Sequence, residues 1–343
     1  MSKPADLTNL SGGDGAKSDS SDVAKEGDGA KSEGNARRRR KSAPVFSREY
    51  LQRRSFIELN ARDRAKSLFD SGTARELAGP FDRIESPWLA MQGVTPQADD
   101  GCIVMRGTIA GQRAVVIAFN GAFQGGGIGE VSGAKLTTAL DLACRDSENG
   151  QPTSAVLLLE TGGVRLQEAN LGLAAVAEII SSIIALRRYA PVISVIAGPV
   201  GCFGGMSLTA GVSSYIVMTP EGRLGLNGPE VIEEESGVEE FDASDRALTW
   251  SIYGGQQRYN QGLVDILVDD DIDQVIKTVQ ELITKGVPPR NRSEQVDVYR
   301  SHIAALDPSA KWNPADVSWS AASLARPIGR NQEVASNEEE HNQ

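Results

Sequence analysis

Histidine is the scarcest of the common catalytic residues in this chain. Only two of its 343 residues are histidine, His302 near the end of the predicted folded region and His341 in the terminal segment. A histidine general base, a Ser–His pair and a histidine-rich metal site all need imidazole groups inside the folded region. We therefore expect no bound metal, and we expect any reaction to proceed mostly without imidazole.

Cysteine and long apolar runs are also in short supply. The three cysteines, Cys102, Cys144 and Cys202, are far apart and odd in number, which excludes a disulfide framework and a paired-cysteine zinc ribbon. No apolar run approaches the ~18 residues that a membrane helix needs, and the polar N-terminus lacks the pattern of a signal peptide. We expect a cytoplasmic protein without a membrane span.

Basic residues are fewer than acidic ones, 35 against 46, and the net charge is −11. This balance argues against a nucleic-acid partner, because neutralising phosphates supplies much of the affinity for nucleic acid. The basic cluster "RRRRK" falls within residues 1–46, a low-complexity stretch that contains "GDGAKS" twice and predicts a disordered, solvated tail. We expect one folded domain at 47–306, followed by a C-terminal arm and disordered tail at 307–343.

The folded region alternates predicted strands and helices. Helical spacing over 47–70 predicts a leading helix that stops at Gly72, and "CIVMRGTIAGQRAVVIAFN" predicts a hairpin. Apolar strand runs then lead through glycine-rich turns into helices at about 130–145, 164–188 and 206–212, and a last helix ends at Gly286. Because these runs are continuously apolar, we expect a largely parallel sheet with both faces covered.

Glycine clusters mark three of the predicted strand exits, at 125–127, 162–163 and 204–205. The first turn of a helix leaves unpaired N–H groups, which can bind an anion or a developing oxyanion that glycine allows to approach closely. The alternative is that these glycines only form tight turns. Three clusters at one edge of a parallel sheet favour ligand binding, whereas the phosphate-loop motif GxxxxGK[ST] is absent.

An enolate is the anion that suits a site poor in histidine. Two main-chain N–H groups can polarise a thioester carbonyl, and each donor contributes ~3 to 4 kcal/mol to transition-state stabilisation. Decarboxylation of a malonyl thioester forms the carbanion directly, so no base has to remove a proton. Only a later protonation is required, and water or a nearby acid can supply it.

Several segments carry a resemblance to a known family. "ETGGVRLQEANLGL" resembles a segment of the β subunits of biotin-dependent carboxyltransferases. "GGGIGEVSGAKLTTALDLA", "VGCFGGMS" and "RLGLNGPEVIEEESGVEEFD" are similar to the β subunits of biotin-independent malonate decarboxylases, and the similarity spans roughly residues 55–290. The resemblance implies an α/β crotonase-like fold, a spiral of ββα units like the N-domain of carboxyltransferases.

The resemblance also implies an activity and its partners. Members of the family decarboxylate a malonyl group carried on the phosphopantetheine-type arm of an acyl carrier protein, without biotin and without a tightly bound cofactor. A homologous γ subunit supplies the facing half of the active site. Carried over by position, the oxyanion hole uses two glycine pairs, Gly162–Gly163 and Gly204–Gly205. The sequence does not determine which N–H of each pair faces the substrate.

Further residues near these motifs have two interpretations each. Arg165 is a candidate for binding the malonyl carboxylate, together with Gly126 and Gly127, but it can instead pair with a neighbouring carboxylate. Glu160 is a candidate proton donor with a raised pKa, or a carboxylate held by main-chain N–H groups. Cys202 stands at a helix N-terminus, yet packing is its expected role because no histidine partner is available.

Other functions remain open at this point. A carboxyltransferase subunit that moves a carboxyl group between biotin and an acyl thioester shares the same motifs. A non-catalytic scaffold that completes a partner's oligomer is a second alternative. A protease of a related fold comes last, because it needs a Ser–His pair.

Overall fold

A seven-stranded sheet runs through the described residues, 52–307 and 309 of the computed structural model, with its strands side by side in chain order. The first three strands are antiparallel and the remaining pairs are parallel. The strands are Arg75–Leu77 (β1), Cys102–Ile109 (β2), Gln112–Phe119 (β3), Ser154–Leu158 (β4), Val192–Ile196 (β5), Tyr215–Met218 (β6) and Ile266–Leu267 (β7).

Helices cover both faces of this sheet. In the same described residues they are Ala61–Ser67 (α1), Glu130–Glu148 (α2), Asn170–Leu186 (α3), Gly205–Val212 (α4), Pro229–Ser236 (α5), Arg246–Tyr253 (α6), Gly255–Asn260 (α7), Ile272–Lys285 (α8) and Val296–Ala304 (α9). Helices α2, α3 and α4 pack in one hydrophobic cluster, and α1 and α8 pack in a second cluster.

The central strands contribute alternate residues to the two clusters. In β4, Ala155 and Leu157 belong to the cluster with α2, whereas Val156 and Leu158 belong to the cluster with α8. Every residue of β4 and β5 is buried, because helices lie on both sides. The predicted parallel sheet with two covered faces is therefore confirmed.

Two predicted helices begin later than expected. The predicted positions before 52 lie outside the described residues, and from 52 onward the leading helix starts at Ala61, after Asn60, whose side chain accepts the N–H of Asp63. Before it, the Asp270 carboxylate accepts the N–H groups of Phe56 and Ile57, which holds this segment in turns despite its helical spacing.

The other helix that begins late is α3, which starts at Asn170 rather than at the predicted position 164. The intervening residues first form a β-bridge between Val164 and Ile128 and then a 3₁₀ turn at Leu166–Glu168. The predicted start was wrong because the apolar periodicity of α3 continues backwards into a segment that pairs with another part of the chain.

The predicted tail at 1–46, with its basic cluster, and all of the predicted arm at 307–343 except 307 and 309 lie outside the described residues. No helix within residues 52–307 is both long enough and apolar enough to cross a bilayer.

The predicted hairpin is confirmed, and an aspartate from another segment fixes its turn. Ala110 and Gly111 form a two-residue loop with positive φ at both positions, 52° and 74°, as a type I′ turn requires. The Asp70 carboxylate accepts the N–H groups of Ala110 at 3.1 Å and Gly111 at 2.9 Å, and the Thr108 hydroxyl at 2.6 Å. The Thr108 hydroxyl and these N–H groups outweigh burial and lower the pKa of Asp70.

We expect Asp70→Asn to lower the melting temperature by roughly 2–4 °C at pH 7, as follows from a loss of about 1 kcal/mol. Because the pKa is lowered in the folded state, the carboxylate stabilises the protein above its unfolded pKa of about 3.9 and loses this effect as pH falls through the folded value. Urea unfolding at several pH values should show the two proteins converging below about pH 4. A difference that persists unchanged at low pH would contradict the assignment.

Candidate active site

The glycine clusters meet at the carboxyl edge of the parallel strands. After leaving the sheet, the segments that follow β3, β4, β5 and β6 pair a second time through parallel bridges: Ile128 with Val164, Thr161 with Cys202, and Cys202 with Leu224. This second pairing aligns the strand exits beside one another. The three predicted clusters therefore lie in neighbouring segments, as expected for ligand binding at this edge.

The second and third clusters touch through their main chains. A Cβ atom on Gly163 would lie 3.2 Å from the Cα of Gly204, and a Cβ on Gly204 would lie 3.1 Å from the Cα of Gly163. Both residues have positive φ, 114° and 58°. Glycine is required at both positions, because a side chain would be strained and would push the two segments apart.

The bridge to Ile128 determines where the Val164 amide points. Ile128 donates its N–H to the carbonyl of Gly163 at 2.8 Å, and its own carbonyl accepts the N–H of Arg165 at 2.8 Å. In a trans peptide the C=O and N–H groups point in opposite directions, so the Val164 N–H points away from Ile128. Within residues 52–307 this N–H has no acceptor, and the Cβ position of Gly204 lies 3.9 Å from the Val164 nitrogen.

Gly205 supplies the second free amide. It is the first residue of α4, where N–H groups have no partner within the helix. No acceptor in the described part of the chain contacts its N–H. Val164 and Gly205 thus present two unpaired main-chain donors on either side of the contact between Gly163 and Gly204, which is an arrangement that can stabilise a negative oxygen.

The other predicted amides of these pairs are already used. Gly162 donates to the carbonyl of Gly125 at 2.8 Å, and Gly204 donates to the carbonyl of Leu226 at 2.8 Å. Gly163 donates to the Thr161 hydroxyl at 3.1 Å. Of the four glycines that the sequence singled out, only Gly205 has a free N–H, and the catalytic role of the group stays a prediction.

Sequence reasoning missed Val164, because it considered only glycines. The signal that could have identified it is the second pairing of each ββα unit, which leaves every other amide of the paired segment facing away from its partner.

Gly126 and Gly127 lie at the neighbouring strand exit but have no free amide. They donate to the carbonyls of Phe123 and Gln124, each at 2.9 Å. A Cβ on Gly126 would overlap the carbonyl oxygen of Glu160. Close packing of two main chains therefore explains this glycine, and substrate binding by the pair stays a prediction.

Arg165 is buried between two carboxylates. Its Nη1 lies 2.8 Å from Asp100 and 2.7 Å from Glu168, and its side chain is only 1% exposed. This pairing is the alternative that the sequence left open, so binding of a malonyl carboxylate by Arg165 stays a prediction without support from its position. Burial raises the pKa of Asp100. For Glu168, burial is outweighed by hydrogen bonds from the Glu130 N–H, Ser86 and Arg165, which lower the pKa.

Glu160 is also paired. Its carboxylate contacts Arg64, and its side chain fills a slot beside Gly121 and Gly198, where a Cβ on either glycine would overlap it. A charged partner rather than main-chain N–H groups holds this glutamate. Its role as proton donor therefore stays a prediction that the ion pair disfavours.

Three large apolar side chains in the segments that carry or adjoin the free amides face solvent. Leu166, Leu208 and Leu226 are 84%, 53% and 58% exposed. An open apolar surface of this kind is typical of a site that another molecule covers. Within residues 52–307, no group of three or more His, Cys, Asp or Glu side chains could hold a metal ion.

Comparison with known proteins identifies the family. The model of the family described as "Carboxyl transferase domain" matches residues 58–328. The chain belongs to this family. The predicted crotonase-like α/β fold of carboxyl transferases is thereby confirmed, and the transcarboxylase 12S structure, 24% identical with a TM-score of 0.55 over 65% of this chain and 40% of that chain, shares the fold.

Two relatives within the carboxyl transferase family are informative. The malonyl-S-ACP:biotin-protein carboxyltransferase MADC of Malonomonas rubra is 42% identical over 260 residues, 73% of this chain and 80% of that protein. The propionyl-CoA carboxylase β chain of Saccharopolyspora erythraea is 30% identical over 68% of this chain, which spans only 40% of that protein.

Solved structures of higher identity come from a Pseudomonas malonate decarboxylase. A chain of its hetero-tetramer in complex with malonate is 55% identical, with a TM-score of 0.76 over 78% of this chain and 98% of that chain. A chain of the MdcD-MdcE hetero-dimer is 50% identical, with a TM-score of 0.64 over 75% of this chain and 100% of that chain.

Cys202 lies two residues before Gly204 in the chain, and its thiol is buried. Burial raises the pKa of the Cys202 thiol, and it raises the pKa of Cys102 to about 12. Neither sulfur forms the thiolate at neutral pH, which agrees with the packing role expected for Cys202.

We expect iodoacetamide at pH 8 to leave Cys102 and Cys202 unlabelled in the folded protein and to label both in urea. Peptide mass spectrometry after timed quenching would measure the extent at each position. Rapid labelling of native Cys202 would indicate a reactive thiol and would contradict the packing role.

Proposed function

We propose that this chain is the β-type subunit of a malonate decarboxylase that acts on a malonyl thioester. The observation that carries the proposal is the pair of unpaired amides, Val164 and Gly205, on either side of the contact between the two glycine segments. The similarity to chains of a Pseudomonas malonate decarboxylase supports it. The malonyl-S-ACP substrate in the name of the Malonomonas relative supports a group carried on an acyl carrier protein.

The reaction needs little from side chains. The bond between the carboxylate carbon and the α-carbon breaks, carbon dioxide leaves, and the electron pair moves into the thioester as an enolate. The two amides bind the enolate oxygen, where a low-dielectric site strengthens their hydrogen bonds. A proton from water or a nearby acid then converts the enolate to the acetyl thioester, so the shortage of histidine does not prevent turnover.

A homologous γ subunit and the carrier protein are the proposed partners. The exposed leucines around the amides leave the site open to water, and the Pseudomonas relatives are a hetero-tetramer and a hetero-dimer. Covering the site would exclude water and increase the effect of the amides. The phosphopantetheine-type arm, the absence of a tightly bound cofactor and a cytoplasmic location stay predictions.

Gly205→Pro tests the amide directly. Proline is well tolerated at the first residue of a helix, where it removes only an N–H that has no helical partner. We expect kcat to fall by about 10²- to 10³-fold, as for the loss of one oxyanion donor.

Gly205→Ala is the matched control for this substitution. It adds the same Cβ, which would lie 2.9 Å from a Val176 methyl group, but it keeps the N–H. Full turnover by a folded Gly205→Pro variant would show that the Gly205 N–H has no role in catalysis and would favour the scaffold alternative.

Carboxyl transfer to biotin is the second candidate, because the name of the Malonomonas relative includes a biotin protein. We expect the chain and its γ subunit to release carbon dioxide from a malonyl carrier protein without biotin. Release of ¹⁴C-labelled carbon dioxide, measured with avidin and with added biotin protein, would separate the two. Strict dependence on the biotin protein would refute the decarboxylase proposal and favour transfer.

A further inference from the structure

The buried charges beside the site have no part in the proposed chemistry. Glu168 is 3% exposed, and its two oxygens accept three hydrogen bonds: from Ser86 at 2.7 Å, from the Glu130 N–H at 2.6 Å and from Arg165 at 2.7 Å. Buried ionic networks add little stability relative to apolar packing of the same volume. An explanation in terms of stability alone is therefore weak.

Glu168 and Arg165 both bind the segment that carries Ile128. Glu168 binds the N–H of Glu130 on one side of it, and Arg165 donates from Nη2 to the carbonyl of Gly127 at 3.1 Å on the other side. Gly129 lies against the Glu168 carboxylate so closely that a Cβ there would overlap Oε2. The carboxylate and the guanidinium thus hold Ile128 from both sides.

Asp100 completes the same arrangement. It pairs with Arg165 at 2.8 Å through one oxygen and accepts the N–H of Ser132 at 2.8 Å through the other. Ser132 belongs to the first turn of α2, which follows directly on this segment. The start of α2 and the segment before it are therefore tied to Arg165 and Glu168 by charge-assisted hydrogen bonds, which are the stronger kind.

We propose that Glu168 is a positioning residue that orients the Val164 amide through Ile128. The two hydrogen bonds of Ile128, with the carbonyl of Gly163 and the N–H of Arg165, set the plane of the peptide that carries the Val164 N–H. Glu168 contacts neither of the free amides. The inference rests on the proposed function, because it concerns the amide that binds the enolate oxygen.

The size of the effect follows from geometry. A displacement of about 1 Å at a catalytic group can lower the rate about 100-fold, even when its cause lies outside the site. A donor that acts mainly on the enolate affects kcat more than substrate binding. A residue with a purely structural role would lower stability without this selective effect on kcat.

The experiment measures kcat and KM for carbon dioxide release from a malonyl carrier protein, using the complex with the γ subunit, and the melting temperature of each variant. Glu168→Gln keeps the shape but gives one acceptor position to an NH₂ group. We expect kcat to fall about 10- to 100-fold, with KM within about threefold. Ser86→Ala removes one donor to Glu168 and should lower kcat by roughly two- to fivefold.

Asp70→Asn is the matched control, because it makes the same carboxylate-to-amide change at the hairpin on the opposite edge of the sheet. The Asp70 carboxylate accepts two main-chain N–H groups, whereas Glu168 accepts one. We expect a lower melting temperature with unchanged kcat. If Glu168→Gln does not fold, Ser86→Ala gives the test, because it deletes only a hydroxyl group.

Wild-type kcat in both site variants, or a change confined to KM, would overturn the inference while leaving the proposed function in place. A loss of kcat in Asp70→Asn equal to that in Glu168→Gln would also overturn it, since the effect would then follow stability alone. Absence of carbon dioxide release by the wild-type complex would instead refute the proposed function, and the inference with it.

Discussion

The main-chain contact between Gly163 and Gly204 is the constraint on which the candidate site depends. It brings two strand exits of a parallel sheet within van der Waals distance, and no other residue type fits there. Through this contact the segments that carry the Val164 and Gly205 amides are held side by side, although they follow different strands. The sheet fixes the position of both segments, so the main-chain donors are held in place before a ligand binds.

The charged side chains of Arg165 and Glu160 are paired within the protein. Arg165 pairs with Asp100, from another segment, and with Glu168, three residues further along the chain, whereas Glu160 pairs with Arg64. In the proposed reaction, a free carboxylate there would repel a malonyl group, and a free guanidinium would compete with the amides for the developing negative charge. Pairing reduces both effects, and the two free donors are uncharged main-chain groups.

Much of the fold could be predicted from the sequence, because continuous apolar runs such as that of β4 and the apolar stripe of α8 are local signals. The starts of α1 and α3 could not, since Asp270 and Ile128 impose turns and a bridge from distant parts of the chain. The glycine clusters at the carboxyl edge of the strands were predictable from the sequence as well. Which main-chain N–H groups are free there was not, because that depends on the acceptors that other parts of the chain provide.

The donors at this site are encoded by the peptide bond rather than by any side chain. A substitution at Val164 changes what surrounds the amide but leaves its N–H in place, unless the new residue is proline. An inhibitor that offers an anionic oxygen to these two groups would therefore meet contacts that ordinary point mutations cannot delete. Resistance would have to arise in the surrounding packing, where Gly163 and Gly204 tolerate almost no change.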